Sequence, residues 1–383
     1  MKFRTENITP PPIVKLAEAA KKYAGSQDFI DLGQGLPGHI PPKPILSSLG
    51  EKLLHPVTHQ YTPDQGHLEL REELSLYLRR HSNYDVDPQA EVTVTAGGNN
   101  AFSGAVLTLL GPGENILVPE PFYFNQIMAI QLAGGTAKPV EVDEHFQPRT
   151  DSIRNAIDDK TKAVLLVSPN NPTGAVYQQK LVDEIVDICL ENELFLLSDE
   201  AYARLVFEGS NHYSPRTRRD AEDHVIVLGS FSKDFGISGW RVGYIVGSPP
   251  FMKEFLKVQD TVTICAPTAS QLLALEILKE GAEFVDDELM RLEKLRELAY
   301  IRAQEIDRFE IIRTKGTFYL FPRVKSCNDS RNLVIDMLDE IKVLTLPGRV
   351  FGPNGEGHIR ISVGPLTPEA VDEAFDRMAR YFS

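Results

Sequence analysis

The chain has 383 residues, 42% of them hydrophobic and 25% charged, with a formal net charge of −14. That length and balance suit a soluble globular protein of about two domains. The acidic surplus argues against nucleic acid or an anionic membrane as the main partner, and no apolar run reaches the roughly 18 residues of a membrane span.

At the N-terminus, Met1 to Asn7 lacks the apolar core of a signal peptide, so a cytoplasmic protein is expected. Cys189, Cys265 and Cys327 are isolated and lack C-x-x-C spacing, which fits free thiols in a reducing compartment and argues against a disulfide framework or a zinc site. The prolines of Ile8 to Pro12 predict a rigid extended piece, Ile13 to Tyr23 a short helix, and Phe29 to Leu32 a short strand. The loop Gly33-Gln-Gly-Leu-Pro-Gly38 carries residues that free or fix the backbone, and His39 after it reads as a solvated loop histidine or as a base reaching a site. Tyr61 opens a Pro/Gly turn, followed by helical periodicity from Leu68. Glu91 to Thr95 alternates as a strand should. Gly97, Gly98 and Asn99 then lead into an apolar helix from Ala101 to Leu110, an order that aims backbone N–H groups and the positive helix end at an anion.

Four further apolar runs read as buried strands. Asn115 to Pro119 ends in the aromatic cluster Phe122-Tyr-Phe124. Lys162 to Ser168 ends in Pro169-Asn-Asn-Pro-Thr-Gly174, which is turn chemistry, and a helix from Gln179 to Glu191 follows it. Leu194 to Ser198 ends in Asp199, with Tyr202 three residues on; an unpaired carboxylate there is costly unless it caps the next segment or meets a cation. His224 to Gly229 ends in Ser230-Phe-Ser-Lys-Asp234, which puts Lys233 at the carboxyl edge of a sheet, where open α/β folds bind ligands. Ser230, Ser232 and Arg241 beside that lysine form a candidate phosphate clamp, and a lysine next to such a clamp suits covalent attachment of pyridoxal phosphate. Arg241 to Gly247 reads as one more strand. Strands alternating with helices over about 90–247 predict a mostly parallel sheet.

Residues 267–308 are charged and helix-periodic, fitting a helix that leaves the large domain and begins a smaller one. Gly316 to Pro322, Ile341 to Pro347 and His358 to Ser362 read as strands, and Arg360 faces away from Ile359 and Ile361.

Ser230-x-Ser-Lys233 followed by Gly239-Trp-Arg-Val-Gly-Tyr244 resembles the lysine signature of class I/II aminotransferases of fold type I. Asn171-Pro-Thr-Gly174 and Tyr61-x-Pro-x-x-Gly66 resemble further elements of that family. The resemblance covers nearly the whole chain. It implies a seven-stranded sheet with one antiparallel member in a large cofactor domain (45–270), with a smaller α+β domain formed by 1–44 and 271–383. It implies amino transfer from an L-amino acid to a 2-oxo acid by a ping-pong cycle, with Lys233 carrying pyridoxal 5′-phosphate and moving the proton. Gly98, Asn99, Ser230, Ser232 and Arg241 would hold the phosphate. Tyr123, or Phe122 in the alternative register, would stack on the ring. Asn171 and Tyr202 would meet the phenolic oxygen, and Asp199 the ring nitrogen. Gly35, Asn171 and Arg360 would meet the substrate carboxylate, and Tyr61 would cross a homodimer interface to the partner's phosphate. Asn99 and Asn100 stand where some aspartate-specific relatives have a lysine, which favours a neutral or aromatic amino acid. Elimination, racemisation or oxidation on the same cofactor is the rival enzyme class. A ligand-sensing regulator needs an added DNA-binding module, and the residues before the family core are not basic.

Overall fold

The computed structural model describes residues 3–383 except 24, 27, 281 and 282, the last two within the charged stretch 267–308. Seven strands form the central sheet: β1 (Val92–Thr95), β2 (Asn115–Pro119), β3 (Thr136–Val140), β4 (Thr161–Val167), β5 (Phe195–Asp199), β6 (Val225–Ser230) and β7 (Gly243–Val246). Their order is β1-β7-β6-β5-β4-β2-β3, and β7 alone runs antiparallel to its neighbours, as expected of this α/β class. β6 is buried along its whole length, which is why it reads as a continuous apolar run; β1 is buried throughout as well, although its sequence alternates Val with Thr.

This topology gathers the chemistry. The six parallel strands all end at one edge, so the residues after Thr95, Pro119, Val167, Asp199 and Ser230 emerge together. β7 runs the other way and begins at that edge, so Arg241, two residues before it, arrives there as well. The helix Gly98–Leu109 starts three residues earlier than the sequence suggests, because Gly97 takes the N-cap position at φ 89°. The helix Gln179–Glu191 matches its expected bounds and buries Val182, Ile185, Val186 and Cys189. Each such apolar side chain contributes roughly 1.5–3 kcal/mol relative to exposure.

A second apolar core joins Leu16, Ile30 and Leu32 to residues between Leu292 and Met378. Here Ile30–Asp31 pairs in parallel with Val343–Leu344, and Tyr319–Leu320 pairs antiparallel with Ile359–Ser362. The stretch read as one strand from Ile341 to Pro347 is divided. Ile341 closes a helix from Ser330, and Lys342 turns the chain at φ 59°. Two short strands follow, Val343–Leu344 and Leu346–Pro347. The charged stretch 267–308 holds two helices, Thr268–Lys279 and Glu283–Gln304.

Candidate active site

A cavity of about 580 Å³ lies between the carboxyl edge of the sheet and the second core. It is bordered by Gly98, Asn99, Tyr123, Asn171, Asp199, Tyr202, Ser230, Ser232, Lys233, Arg241, Gly35 and Arg360, which the chain carries far apart. Tyr61 is elsewhere on the molecule and is 79% exposed. Phe122 does not border the cavity, whereas Tyr123 does.

Lys233 lies in the short helix Phe231–Asp234 that follows β6. Its Nζ donates to the Gly35 carbonyl at 2.5 Å. Burial, with Arg360 and Arg241 nearby, lowers its pKa to about 8. Its neighbour Ser230 caps the same helix by accepting from the Ser232 N–H at 3.2 Å.

At the end of β5, Asp199 accepts from Gln126 Nε2 at 2.7 Å and from the Ala201 N–H at 3.1 Å. Burial dominates those bonds and raises its pKa to about 6. A cation brought against this carboxylate would return it to the ionised form. The Gly97–Gly98 turn sits against Arg241. A Cβ on Gly97 would come within 2.4 Å of the Arg241 guanidinium, so only glycine leaves the arginine its place beside the helix N-terminus. Arg241 itself takes φ 51° and donates to the Ser238 carbonyl at 2.8 Å.

On the opposite wall, Arg360 is buried in the mid-strand position that its apolar neighbours indicate. Nη1 donates to Asn171 Oδ1 at 2.8 Å and Nη2 to the Gly33 carbonyl at 2.7 Å, while Nε is buried without a partner. Its guanidinium lies over the rings of Tyr319, at 4.3 Å, and Phe351, at 5.3 Å.

His39 is neither solvated nor at the cavity. It is buried, its Nε2 donates to the Asp234 carbonyl at 3.2 Å, and burial lowers its pKa. Pairing across 195 residues of sequence removes it from solvent, which no local pattern reveals.

Two contributors lack any local sequence signal, and the reason a third, Gly97, must be glycine is equally hidden. Gln126 sits inside an apolar helix, Phe124–Ala133, and its role is visible only once Asp199 is beside it. Tyr319 follows Phe318 in an apolar strand and reads as core. Gly97 acquires its constraint from Arg241, far along the chain. Among the described residues no group of His, Cys, Asp and Glu is placed to hold a metal ion.

Comparison with known proteins shows the family. Residues 27–378 match the family model for aminotransferase class I and II. The chain is 35% identical to an aspartate aminotransferase of Pyrococcus abyssi, covering 99% of this chain and 97% of that one. It is 34% identical to aromatic-amino-acid aminotransferase 2 of Thermococcus litoralis, covering 98% and 97%. Among solved structures, the aspartate aminotransferase from Thermus thermophilus with maleate superimposes with a TM-score of 0.92 at 29% identity, covering 99% of each chain. The chain belongs to the class I and II aminotransferases, pyridoxal-phosphate-dependent enzymes that move an amino group from an amino acid to a 2-oxo acid.

Proposed function

We propose that this aminotransferase holds pyridoxal 5′-phosphate on Lys233 and acts on amino acids with bulky apolar side chains. The fit of the cofactor rests on the donor set. The N-terminus of the helix Gly98–Leu109, Asn99, Ser230, Ser232 and Arg241 suit a phosphate dianion. Tyr123 borders the cavity where it can stack on a flat ring, and Asp199 offers a buried carboxylate for a protonated ring nitrogen. When bound, the cofactor supplies an electron sink for the carbon that loses a proton. Lys233 holds and moves that proton. Its depressed pKa leaves a usable share of neutral amine near pH 7. Arg360 grips the substrate carboxylate by exchanging its bond to the Gly33 carbonyl for a carboxylate oxygen, with Asn171 beside it. The segment 33–37, tied to Lys233 and Arg360 through carbonyl groups, helps to exclude water when the smaller domain closes.

The observation that carries the substrate class is the remaining wall. Once those groups are assigned, most of the remaining wall is apolar, with Ile13, Leu16, Phe29, Leu36, Leu344 and Leu346, while Lys21, Asp31, Gln34 and Ser238 also border the cavity. The relatives' names divide between aspartate and aromatic substrates, so kinship alone does not choose. Against the apolar part of this wall a side-chain carboxylate would lose its solvation, whereas a phenyl or isobutyl group gains by burial. Stopped-flow half-reactions should convert the cofactor to its amino form at least ~10²-fold more efficiently with phenylalanine or leucine than with aspartate. Equal or reversed preference overturns the substrate class, and no conversion with any amino acid overturns the assignment of the site.

The same reading makes the protein a cytoplasmic homodimer. Free cysteines suit a reducing compartment. Leu54, Val57 and Tyr61 stand exposed close together in sequence, and Val262, far along the chain, is exposed as well. Val262 adjoins Thr263, whose hydroxyl accepts from Asn100 beside the phosphate turn. A second copy covering this apolar surface would bring Tyr61 of one protomer to the phosphate of its partner. Sedimentation should give a dimer, and Tyr61→Phe should weaken cofactor affinity roughly ten-fold by removing one charge-assisted hydrogen bond. A monomeric wild type, or unchanged affinity in the variant, would exclude this arrangement.

A further inference from the structure

Tyr319 touches three parts of the site without being one of the groups assigned to cofactor or substrate. Its hydroxyl lies 2.9 Å from the Tyr202 hydroxyl. Its ring lies under the Arg360 guanidinium at 4.3 Å. A Cβ on Gly35 would fall 2.2 Å from its hydroxyl, so the backbone that receives the Lys233 amine can approach only as glycine. The side chain is almost wholly buried, 1% exposed.

Its position is set by more than strand pairing. Two residues earlier Thr317 takes φ 58°, a strained conformation for a β-branched residue, and its hydroxyl accepts from the Tyr319 N–H at 3.2 Å. The Thr317 N–H is held by the Leu205 carbonyl at 2.8 Å. Gly316 packs so closely on the Asn171 loop that a Cβ there would meet Pro169 at 2.5 Å. Three segments thus converge to hold this ring and its hydroxyl in place.

We propose that Tyr319 is a positioning residue that acts on both halves of the site at once, its hydroxyl on Tyr202 and its ring on Arg360. The proposal rests on the cofactor reading above. When the cofactor is bound, its anionic ring oxygen would be the stronger acceptor, and Tyr202 would donate its hydrogen bond there. The Tyr202 oxygen then accepts from Tyr319, and the chain of two hydroxyls strengthens the outer bond. A hydrogen-bond donor on the ring oxygen would lower that oxygen's affinity for a proton. Tyr319 therefore lowers the pH at which the bound cofactor's visible band changes. Independently, its ring and that of Phe351 keep the guanidinium plane fixed for a two-pronged grip on a carboxylate.

Two substitutions separate the two actions. Tyr319→Phe keeps the ring and deletes the hydroxyl. The midpoint of the visible band in a pH titration should rise by roughly 0.5–1 unit, with KM for the amino acid within two-fold of wild type. Tyr319→Leu deletes the ring as well, and KM should rise roughly 3–30-fold. A midpoint that is unchanged or lower in Tyr319→Phe overturns the hydroxyl's action. An unchanged KM in Tyr319→Leu overturns the ring's action. Should the leucine variant fail to fold, isothermal titration of a carboxylate inhibitor against Tyr319→Trp, which retains an aromatic face, should still find binding within three-fold of wild type; a larger loss counts against the ring. The wild-type band is the control. Without it the cofactor reading falls, and with it only the role of Tyr319 is in question.

Discussion

Lys233→Ala is expected to abolish borohydride-fixable pyridoxal phosphate and to cut turnover by roughly 10⁴-fold or more, since removing a positioned acid–base alone costs typically 10²–10⁴-fold and covalent attachment goes with it. The cause lies in the surroundings of the amine. Burial and the two guanidinium groups, Arg360 and Arg241, bring its pKa from 10.5 to about 8. At pH 7 roughly a tenth of the amine is then neutral, against well under a thousandth for an ordinary lysine. Cofactor capture by the apoprotein should therefore accelerate with pH and level off above about 8. The stability linkage has the opposite origin from that of a salt-bridged lysine. The folded protein binds the proton less tightly than the unfolded chain, so a penalty is present below pH 8 and is relieved as pH rises from about 8 to 10.5. Lys233→Met, which keeps the stem and drops the charge, should melt at or above the wild-type apoprotein at pH 7. A variant that still forms a fixable adduct, or a capture rate flat from pH 6 to 9, would remove Lys233 from this role.

Much of this site is legible in the sequence because charge interrupts apolar runs. Asp199 ends a buried strand, Arg360 stands within one and Lys233 follows closely after one, places where an unpaired charge is expensive and so marks a purpose. The alternation of strands and helices gave the parallel sheet, while its one antiparallel member came from family resemblance. What stayed hidden depends on partners distant in sequence. Gln126 and Tyr319 place a single polar atom on an apolar scaffold, a pattern shared with ordinary core residues. His39 looks like a loop residue until the Asp234 carbonyl is found beside it. Ile341 reads as the start of a strand but closes the helix Ser330–Ile341, which Asp329 caps by accepting from the Arg331 and Asn332 N–H groups. The final helix, Pro368–Phe382, does carry local signals, a Thr367 cap and a proline in its first turn.

Asp199→Asn should lower turnover by on the order of 10²–10³-fold while leaving the fold intact, because a buried pair that loses one member forfeits about 3–5 kcal/mol. The two halves of this expectation have one source. Without a cation opposite it, the Asp199 carboxylate is penalised by burial, which outweighs the bonds from Ala201 and Gln126 and lifts its pKa from 3.8 to about 6. In the apoprotein the folded state therefore holds a proton that the unfolded chain has released between about pH 4 and 6. Stability from this group is present below pH 4 and is lost as pH rises through 6. The asparagine variant has no such charge to bury, so its apoprotein should melt no lower than wild type at pH 7.5. With cofactor the order reverses. A protonated ring nitrogen repays the carboxylate's burial, so the rise in melting temperature on loading should be larger for wild type at pH 7.5 than at pH 5, and that difference should vanish in Asp199→Asn. Gln126→Leu should act in the same direction but less, since one hydrogen bond to a charged group accounts for roughly 1.5–3 kcal/mol and the Ala201 N–H remains. Turnover of Asp199→Asn within ten-fold of wild type, or a loading shift that is the same at both pH values in the wild type, would show that the ring nitrogen is not charged against this carboxylate.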